Sequence, residues 1–338
     1  MSHLGRPKGS PSPEFSLKPA ADRLGELLEK PVKFVDDAMG DKVKTAVNSL
    51  NDGDVLVLEN MRFYKQEEAN DETFSKQLAA LGDIYVNDAF GTAHRCHAST
   101  HGVARFITGP KVVGFLIEKE LKYLDDALNN PTRPFVAILG GAKVSDKIEV
   151  IKNLLSKVDK LLIGGAMAYT FMKAQGKPTG NSLVEADKVD LAKDLIKIGG
   201  DKLVLPLDTI CGKEFKEDTP TMTAEGNIPD GWEGFDIGPK TVELFKNLVV
   251  NAKTIVWNGP LGVFEMKPFA NGTFSLAQTI ADATAKGAVS VIGGGDSASA
   301  IKKAGLNKAM THISTGGGAS LEFMEGKGFE TLDILDNK

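Results

Sequence analysis

A glycine pair followed by two lysines is the stretch of this sequence best suited to chemistry. The apolar run 135–139 ends in Gly140–Gly141, and Lys143 and Lys147 follow four residues apart. The run predicts a buried parallel strand, and the helical spacing of apolar residues over 145–157 predicts that a helix follows. Lysines spaced in this way share one face of a first helical turn. Glycines, free helical N–H groups and two ammonium groups together suit a polyphosphate, whereas a tight turn with solvated lysines is the alternative.

Further glycine-rich stretches follow other apolar runs in the second half of the chain. They lie at 164–165, 293–295 and 316–318, and a loop with several glycines occupies 258–265. In an open parallel sheet, ligands bind outside the carboxyl ends of the strands. One glycine pair is usually a turn, but several along one sheet edge predict a bare backbone floor with helix N-termini directed at one anion.

Two carboxylates occur in these stretches. Asp296 directly follows the 293–295 glycines and could hold Mg²⁺ on phosphate groups. An equally good interpretation is that Asp296, alone or with Ser297, caps the N-terminus of a helix. Glu265 could bind a ribose hydroxyl or could be a solvated loop residue.

The first half of the chain has basic residues at the predicted strand ends. They include His3, Arg6, Arg62 and Arg95, and His94 and His97 flank the last of these. An arginine fork matches a carboxylate or phosphate with two parallel hydrogen bonds. Any one of these arginines alone would be a surface ion pair, but together they predict a site for a compact anion such as a phosphorylated acid.

The spacing of His94, His97 and His101 raises the possibility of a metal site. We discount it, because no acidic or cysteine residue nearby has metal-site spacing. The two cysteines, Cys96 and Cys211, match neither a metal motif nor a disulfide framework. They favour a reducing, cytoplasmic setting.

Composition excludes several classes of protein. The 338 residues are enough for two domains, and the formal net charge of -5 without a basic arm argues against a nucleic-acid partner. No apolar run approaches the roughly 20 residues that span a bilayer, so no membrane association is predicted.

Short apolar runs alternate with longer amphipathic segments, which predicts an α/β fold with parallel sheets. Strands are predicted at 32–35, 54–58, 84–86, 135–139, 160–163, 202–205, 254–257, 289–292 and 312–314. Helices are predicted at 17–29, 41–50, 71–81, 117–129, 145–157, 166–175, 188–198, 239–252, 270–286, 297–305 and 319–325. The helix at 117–129 and the prolines that end it mark the best domain boundary.

Motifs along essentially the whole chain, in order, resemble those of the phosphoglycerate kinase family. They are Ser2-His3-Leu4-Gly5-Arg6-Pro7, Glu59-Asn60-Met61-Arg62-Phe63, Asn87-Asp88-Ala89-Phe90-Gly91-Thr92-Ala93-His94-Arg95, 140–147, Trp257-Asn258-Gly259-Pro260-Leu261-Gly262-Val263-Phe264-Glu265, 293–297 and Ser314-Thr315-Gly316-Gly317-Gly318-Ala319-Ser320.

The resemblance implies two doubly wound, parallel-sheet (Rossmann-like) domains joined by a helix. The implied ranges are 1–116 for a phosphoglycerate-binding domain, 117–130 for the helix, 131–317 for a nucleotide-binding domain, and 318–338 for a segment that returns to the first domain. The implied reaction is Mg²⁺-dependent phosphoryl transfer between 1,3-bisphosphoglycerate and ADP, giving 3-phosphoglycerate and ATP, by a cytoplasmic monomer. Because the substrates would bind to different domains, domain closure is expected.

The resemblance also assigns roles to individual residues. The implied substrate-binding residues are His3, Leu4, Gly5, Arg6, Arg62 and Arg95. The implied nucleotide-binding residues are Gly141, Lys147, Gly165, Gly238, Asn258, Pro260, Glu265, Gly294, Gly295, Asp296 and Ser297, of which Asp296 is also the metal ligand. The implied catalytic residues are Lys143, Lys147, Gly295 and Gly317.

The sequence departs from the family pattern at its two ends. Family members begin with a strand and an Asp-Phe-Asn-x-Pro loop, whereas this sequence starts at the later loop around His3, and its tail from Gly328 also differs. We therefore expect an incomplete first domain. The alternative function is an ADP- or ATP-binding fragment without turnover. A nicotinamide-dependent dehydrogenase is a weaker alternative, because neither half has G-x-G-x-x-G after its first strand.

Overall fold

A computed structural model describes residues 1–336 and divides the chain into two compact units. Unit 1 comprises Met1–Glu118 together with the residues from Gly328 onward, and unit 2 comprises Lys119–Lys327. The division falls within one long helix. The segment 318–327, which was expected to return to the first domain, is part of unit 2.

Unit 1 contains two pairs of parallel strands, β1 with β2 and β3 with β4. Its strands are β1 (Val32–Val35), β2 (Val55–Leu58), β3 (Tyr85–Asn87) and β4 (Lys111–Val113), and its helices include α1 (Lys18–Leu28), α2 (Asp41–Asn48), α3 (Lys65–Glu68), α4 (Glu72–Ala79) and α5 (Val103–Phe106). Buried apolar side chains from these strands and helices form one core cluster. Helix α6 (Phe115–Asn129) leads into unit 2.

The main sheet of unit 2 is six-stranded and parallel, in the order β13-β12-β11-β5-β6-β7. Its strands are β5 (Phe135–Leu139), β6 (Lys160–Ile163), β7 (Leu203–Val204), β11 (Thr254–Asn258), β12 (Val289–Gly293) and β13 (His312–Ile313); a three-stranded antiparallel sheet contains β8 (Asp208–Gly212), β9 (Thr221–Glu225) and β10 (Glu233–Ile237). Every residue of β5 and of β11 is buried. Helices on both faces explain why the central strands are continuous apolar runs.

The helices of unit 2 follow the strands as the sequence predicts. They are α7 (Ile148–Lys157), α8 (Met167–Ala174), α9 (Val189–Gly199), α10 (Pro239–Val249), α11 (Asn271–Ala285), α12 (Gly295–Lys303) and α13 (Gly318–Met324), and the short α14 (Glu330–Asp333) follows in unit 1. The predicted α/β class with parallel sheets is confirmed. Strand β4 and the antiparallel sheet were not predicted.

Within residues 1–336, no helix combines the length and the apolar character that a bilayer crossing requires.

Candidate active site

Four of the predicted basic residues line one cavity of unit 1, which we call the basic cavity. Its volume is about 330 Å³. The basic residues are His3, Arg6, Arg62 and Arg95, and the remaining lining residues are Ala89, Phe90, Gly91, Thr92 and Leu116. Residues distant in sequence thus present positive charge to one small space, as a binding site for a compact anion requires.

Arg62 is held in the basic cavity by backbone and side-chain hydrogen bonds. It is only 7% exposed, and its Nη1 donates to the carbonyl oxygen of Gly5 at 2.9 Å. The fully buried Asn60 accepts from the Arg62 N–H at 2.9 Å and donates through Nδ2 to the carbonyl of Leu4 at 2.8 Å. Burial, followed by the charge of Arg95, lowers the pKa of the Arg62 guanidinium.

Leu4 and Gly5 are not among the residues that line the basic cavity, and their carbonyl groups accept the hydrogen bonds from Asn60 and Arg62. Gly5 has a φ of 62°, and an added Cβ would lie 2.4 Å from the ring of Phe15. Only glycine readily adopts this positive φ and also leaves room for the Phe15 ring. Asn60 was quoted as part of a motif but was not assigned a role, and the structure shows that it positions Arg62.

His3 contributes little charge to the basic cavity near neutral pH. Burial, with the positive charges of Arg62 and neighbouring basic residues, lowers the pKa of His3 to about 4. A neutral imidazole can accept one hydrogen bond and donate another. The positive charge of the cavity therefore comes from its arginines.

A buried carboxylate positions the segment that carries Arg95. Glu67 is 2% exposed and accepts from the backbone N–H of Ser99 at 2.9 Å and from its hydroxyl at 2.5 Å. His97 Nδ1 lies 4.0 Å from the same carboxylate. Burial raises the pKa of Glu67 in spite of these donors. Neither Glu67 nor Ser99 was predicted, since no motif marks a residue that acts through another.

A second cavity lies in unit 2, at the carboxyl ends of the parallel strands; we call it the glycine cavity. Its volume is about 310 Å³. The predicted nucleotide-binding residues that line it are Gly141, Gly165, Pro260, Glu265 and Asp296. Its apolar and aromatic lining residues, which were not predicted, include Tyr169, Leu183, Phe215, Phe235 and Val263. One wall of the glycine cavity thus consists of glycine backbone and carboxylate groups, and another consists of apolar side chains.

Glycines bring the turns of this sheet edge into contact with one another. A Cβ added at Gly140 would lie 1.9 Å from the Pro260 carbonyl oxygen, and a Cβ added at Gly165 would lie 2.5 Å from the Gly141 nitrogen. The Gly141 N–H donates to the Pro260 oxygen at 3.1 Å, and the Gly165 N–H donates to the Leu261 oxygen at 3.0 Å. Close backbone approach is therefore one physical reason for glycine here, besides access for a ligand.

The lysine arrangement differs from the prediction. Residues Ser145–Lys147 form a 3₁₀ turn, and α7 begins only at Ile148, so Lys143 lies in the preceding loop. Lys143 is exposed, whereas Lys147 is 9% exposed and its Nζ donates to Asn258 Oδ1. The expectation that both lysines share one face of a first helical turn is wrong, because the 3₁₀ turn precedes the α-helix.

Burial also changes the acidity of Lys147. It lowers the pKa of this ammonium to about 8, although Asp146 and Asp296 act in the opposite direction. The ammonium remains mostly protonated at neutral pH. Asn258 also lies close to Gly294, where an added Cβ would be 3.2 Å from its Nδ2.

The start of α12 has free backbone N–H groups. Its N-cap is Gly294, at a φ of 87°, and no side chain in the described part of the chain accepts a capping hydrogen bond there. The capping interpretation of Asp296 and Ser297 is therefore wrong. Asp296 is exposed to the glycine cavity, whereas Ser297 is buried and its hydroxyl accepts from the Gly259 N–H at 2.6 Å.

Gly238, which is a predicted nucleotide-binding residue, is not among the residues that line the glycine cavity. It is the N-cap of α10, and an added Cβ would lie 2.2 Å from Cγ of Asp208. Asp208 accepts from the backbone N–H groups of Lys240 and Thr241 at 2.9 and 2.8 Å. The glycine of this segment that lines the cavity is Gly234, which adjoins Phe235 in β10.

Gly317 lies at the start of α13 with a φ of 50°, and it lines neither cavity. The segment that leads to it is anchored to α6, because Thr315 donates its backbone N–H to Glu120 Oε1 at 2.7 Å. Glu120 is fully buried and also contacts His312 Nε2 at 2.7 Å. The structure therefore places Gly317 at a helix start beyond β13.

Comparisons with known proteins identify the family. The family model described as phosphoglycerate kinase matches residues 1–327. The chain belongs to the phosphoglycerate kinase family. Curated phosphoglycerate kinases of Chloroherpeton thalassium and Clostridium novyi are 58% and 57% identical to it; each match covers 100% of this chain, and 86% and 85% of the respective relative.

Solved phosphoglycerate kinase structures agree with this result. The Coxiella burnetii structure matches with a TM-score of 0.89 and 42% identity over 98% of this chain and 84% of that one. The Pyrococcus horikoshii structure matches with a TM-score of 0.82 and 34% identity over 97% of this chain and 84% of that one. The resemblance to the phosphoglycerate kinase family that the motifs indicated is confirmed.

Proposed function

We propose that the basic cavity binds 3-phosphoglycerate or 1,3-bisphosphoglycerate and that the glycine cavity binds ADP or ATP. The activity is that of the family, the reversible transfer of a phosphoryl group between 1,3-bisphosphoglycerate and ADP. Such a transfer needs positioning and charge stabilisation rather than covalent help from the protein. The observation that carries the proposal is the convergence of His3, Arg6, Arg62 and Arg95 on one cavity.

The two walls of the glycine cavity suggest how the nucleotide lies. Tyr169, Phe215 and Phe235 provide aromatic surface that suits a purine base. The backbone around Gly141 and Gly165 and the uncapped start of α12 suit the phosphates. We propose that Glu265 binds the ribose and that Lys147 and Asn258 contact the phosphate chain.

We propose that Asp296 holds Mg²⁺ together with the nucleotide phosphates. The donor set fits, because Asp296 is an exposed carboxylate in the first turn of α12 and does not cap that helix. Magnesium prefers one or two carboxylates and completes its shell with phosphate oxygens and water. When bound, it would neutralise charge on the phosphates.

The remaining assignments of the family are also proposals for this chain. They are a monomeric state, a cytoplasmic location, and domain limits close to 1–116 and 131–317 on either side of α6. Two free cysteines are compatible with the location. Lys143 and Gly317 are proposed as catalytic residues, although neither lines a cavity.

An assay of the purified chain tests the proposed function. The chain is incubated with ATP, Mg²⁺ and 3-phosphoglycerate, and ADP formation is measured with glycerate as the control acceptor. We expect ADP formation with 3-phosphoglycerate and not with glycerate, because the arginines match the phosphate group that only the first acceptor has. Nucleotide binding without any turnover would favour the alternative function, and the absence of both would refute the proposal.

Replacing Gly295 tests whether the start of α12 approaches a ligand. A Cβ at Gly295 would meet no protein atom within 4 Å. Because alanine favours helices over glycine by about 1 kcal/mol in a helix interior, Gly295→Ala should leave the free energy of unfolding unchanged or higher. We expect ADP affinity, measured by calorimetry, to fall about 10-fold because the methyl group displaces a phosphate from the backbone.

Gly82→Ala is the matched control, since its Cβ would meet only the Ile84 oxygen at 3.9 Å in unit 1. It should change neither ADP affinity nor turnover. Unaltered ADP affinity in Gly295→Ala would contradict the proposed phosphate position.

The lowered pKa of Lys147 predicts a pH dependence of nucleotide binding. The protonated ammonium attracts phosphate, so ADP affinity should fall as the pH rises through about 8. Loss of one charged hydrogen bond is worth about 1.5–3 kcal/mol, or roughly 10- to 100-fold in affinity. Calorimetric titrations without Mg²⁺ would measure this dependence.

Lys147→Arg provides the control for that titration, because a guanidinium stays protonated throughout the range. Its ADP affinity should be nearly independent of pH over the same interval. A wild-type affinity that does not decline through this interval would show that Lys147 does not contact the phosphates.

A further inference from the structure

Three metal-ligating side chains meet in unit 1, apart from both cavities. Cys96, His101 and Glu330 each place a ligand atom within 4.8 Å of the other two. The Cys96 Sγ donates to Glu330 Oε2 at 3.4 Å. Cys96 and His101 are half-buried and Glu330 is exposed, so solvent can reach the cluster. None of the three is needed for the proposed phosphoryl transfer.

We propose that Cys96, His101 and Glu330 form a binding site for one Zn²⁺ ion or a similar borderline-soft divalent cation. Thiolate, imidazole and carboxylate are the ligands that zinc takes in proteins. Tetrahedral Zn²⁺, with bonds of about 2.0–2.3 Å, separates its ligand atoms by roughly 3.3–3.7 Å. The Sγ–Oε2 separation already falls in this range, and small side-chain rotations would bring the imidazole closer.

The charge and coordination number suit zinc rather than magnesium. A thiolate and a carboxylate neutralise a divalent cation, and a water molecule would complete the tetrahedron. Cys96 would bind as the thiolate and release its proton to solvent. Magnesium prefers oxygen ligands, so the Mg²⁺ proposed at Asp296 should not compete for this site.

Asn70 supplies the hydrogen bond that a metal-binding histidine requires. Its Nδ2 lies 3.0 Å from His101 Nδ1, and its Oδ1 is buried without a donor among residues 1–336. Rotation of the amide by half a turn about Cβ–Cγ would direct the oxygen at Nδ1. His101 would then carry its proton on Nδ1, which leaves Nε2 for the cation, as second-shell hydrogen bonds do in metal sites.

Contacts of neighbouring residues anchor the backbone that carries Glu330, and Asn70 is closely packed. Glu330 is the first residue of α14, and it lies between Phe329, whose ring is 6.2 Å from that of Phe90, and Thr331, whose hydroxyl donates to the Ala93 oxygen. Asn70 is held close to Gly102, where an added Cβ would lie 2.5 Å from Oδ1. Ligands fixed in this way lose little conformational entropy on binding an ion.

A bound cation would join α14 to the segment that carries Arg95. Cys96 adjoins Arg95, and the Thr100 hydroxyl donates to the Arg95 oxygen at 3.0 Å. The ion is therefore expected to restrain one side of the basic cavity without entering it. Stabilisation of the folded chain by the ion would raise the unfolding temperature.

Cobalt spectroscopy on the purified, reduced, chelator-treated chain tests the site. We expect one equivalent of Co²⁺ to produce a thiolate-to-metal charge-transfer band and the intense visible bands of a tetrahedral ion. Zn²⁺ should displace Co²⁺ stoichiometrically, and millimolar Mg²⁺ should not. Zn²⁺ should also raise the unfolding temperature.

Variants assign the signal to these residues. Cys96→Ser should abolish the charge-transfer band, and Glu330→Gln should weaken Zn²⁺ binding by more than about 10-fold, whereas the buried Cys211→Ala serves as the thiol control and should retain both. Asn70→Ala should weaken binding about 10- to 100-fold, and Asn70→Asp, which keeps the acceptor for Nδ1–H, should not. A cooperative unfolding transition, measured for each variant without metal, would show that the variant is folded.

Two results would overturn the proposal. One is the absence of a charge-transfer band at one equivalent of Co²⁺. The other is Zn²⁺ binding that is the same in Cys96→Ser, Glu330→Gln and the wild type, which would place the ion elsewhere on the surface.

Discussion

Lys143→Ala is expected to lower kcat about 100- to 1,000-fold, the usual loss when one group that stabilises transition-state charge is removed. Lys143 is exposed in the loop between β5 and the 3₁₀ turn, and its proposed role is to follow charge that moves between donor and acceptor. ADP affinity should change by less than about threefold, because the interaction develops mainly in the transition state. Steady-state assays and calorimetry on the same preparation would measure the two effects.

Lys147→Ala should show the opposite pattern. Lys147 is buried beside Asn258 and is available to the ground-state nucleotide, so ADP affinity should fall roughly 10- to 100-fold. Lys152, on the exposed face of α7 and paired with Glu149 at 3.0 Å, is the matched control, and Lys152→Ala should change neither quantity. If Lys143→Ala and Lys147→Ala lower affinity and turnover equally, the division of roles is wrong.

The sequence predicts the main sheet of unit 2 well for a physical reason. Strands β5 and β11 are buried on both faces, so they appear as unbroken apolar runs that end in glycine or Asn-Gly. Their order in the sheet is not visible in the sequence. The edge at which the glycines meet follows from the parallel direction of the strands alone, which is why a glycine-lined cavity at this edge could be predicted.

The antiparallel sheet was missed because its strands carry no comparable signal. Strand β9, Thr221–Glu225, has one buried residue among polar and partly exposed ones. Strand β10 contains Gly234 and Asp236, which are unusual in strands. The aromatic wall of the glycine cavity depends on this sheet, so Phe235 and Phe215 could not be predicted as lining residues.

Local geometry also decides which of the predicted residues line a cavity. Gly238 and Gly234 lie four residues apart in one segment. An added Cβ would meet Asp208 at Gly238 and Tyr169 at Gly234, and Gly234 is the one that lines the glycine cavity. The lysine prediction failed because a 3₁₀ turn precedes α7.

Long-range contacts set a further limit on sequence reasoning. The Cys96–Glu330 contact joins residues 234 positions apart. A spacing rule that examines neighbours of His94, His97 and His101 therefore cannot bring Glu330 into the metal site that we propose. The basic cavity was predicted in spite of the sequence distance between its residues, because Arg62 and Arg95 each follow a predicted strand. Those strands, β2 and β3, belong to different two-stranded sheets, so a shared sheet edge does not explain the convergence.

Arg62→Met is expected to raise the KM for 3-phosphoglycerate roughly 10- to 100-fold, since each lost charged hydrogen bond is worth about 1.5–3 kcal/mol. Methionine keeps most of the buried volume and removes the fork that binds an anion with two bonds. The free energy of unfolding should change by no more than about 1 kcal/mol. Loss of the Gly5 hydrogen bond is offset by relief of the burial and repulsion that lower the pKa of Arg62.

Two variants distinguish an anion-binding role from a structural one. Arg62→Lys keeps the charge but not the fork, so its KM should lie between those of the wild type and Arg62→Met. Arg105→Met removes an exposed arginine over the Phe106 ring and should leave the KM unchanged. Added phosphate should stabilise the wild type against unfolding more than Arg62→Met, because the anion offsets the repulsion between Arg62 and Arg95. Equal stabilisation of both proteins by phosphate would place the anion outside the basic cavity.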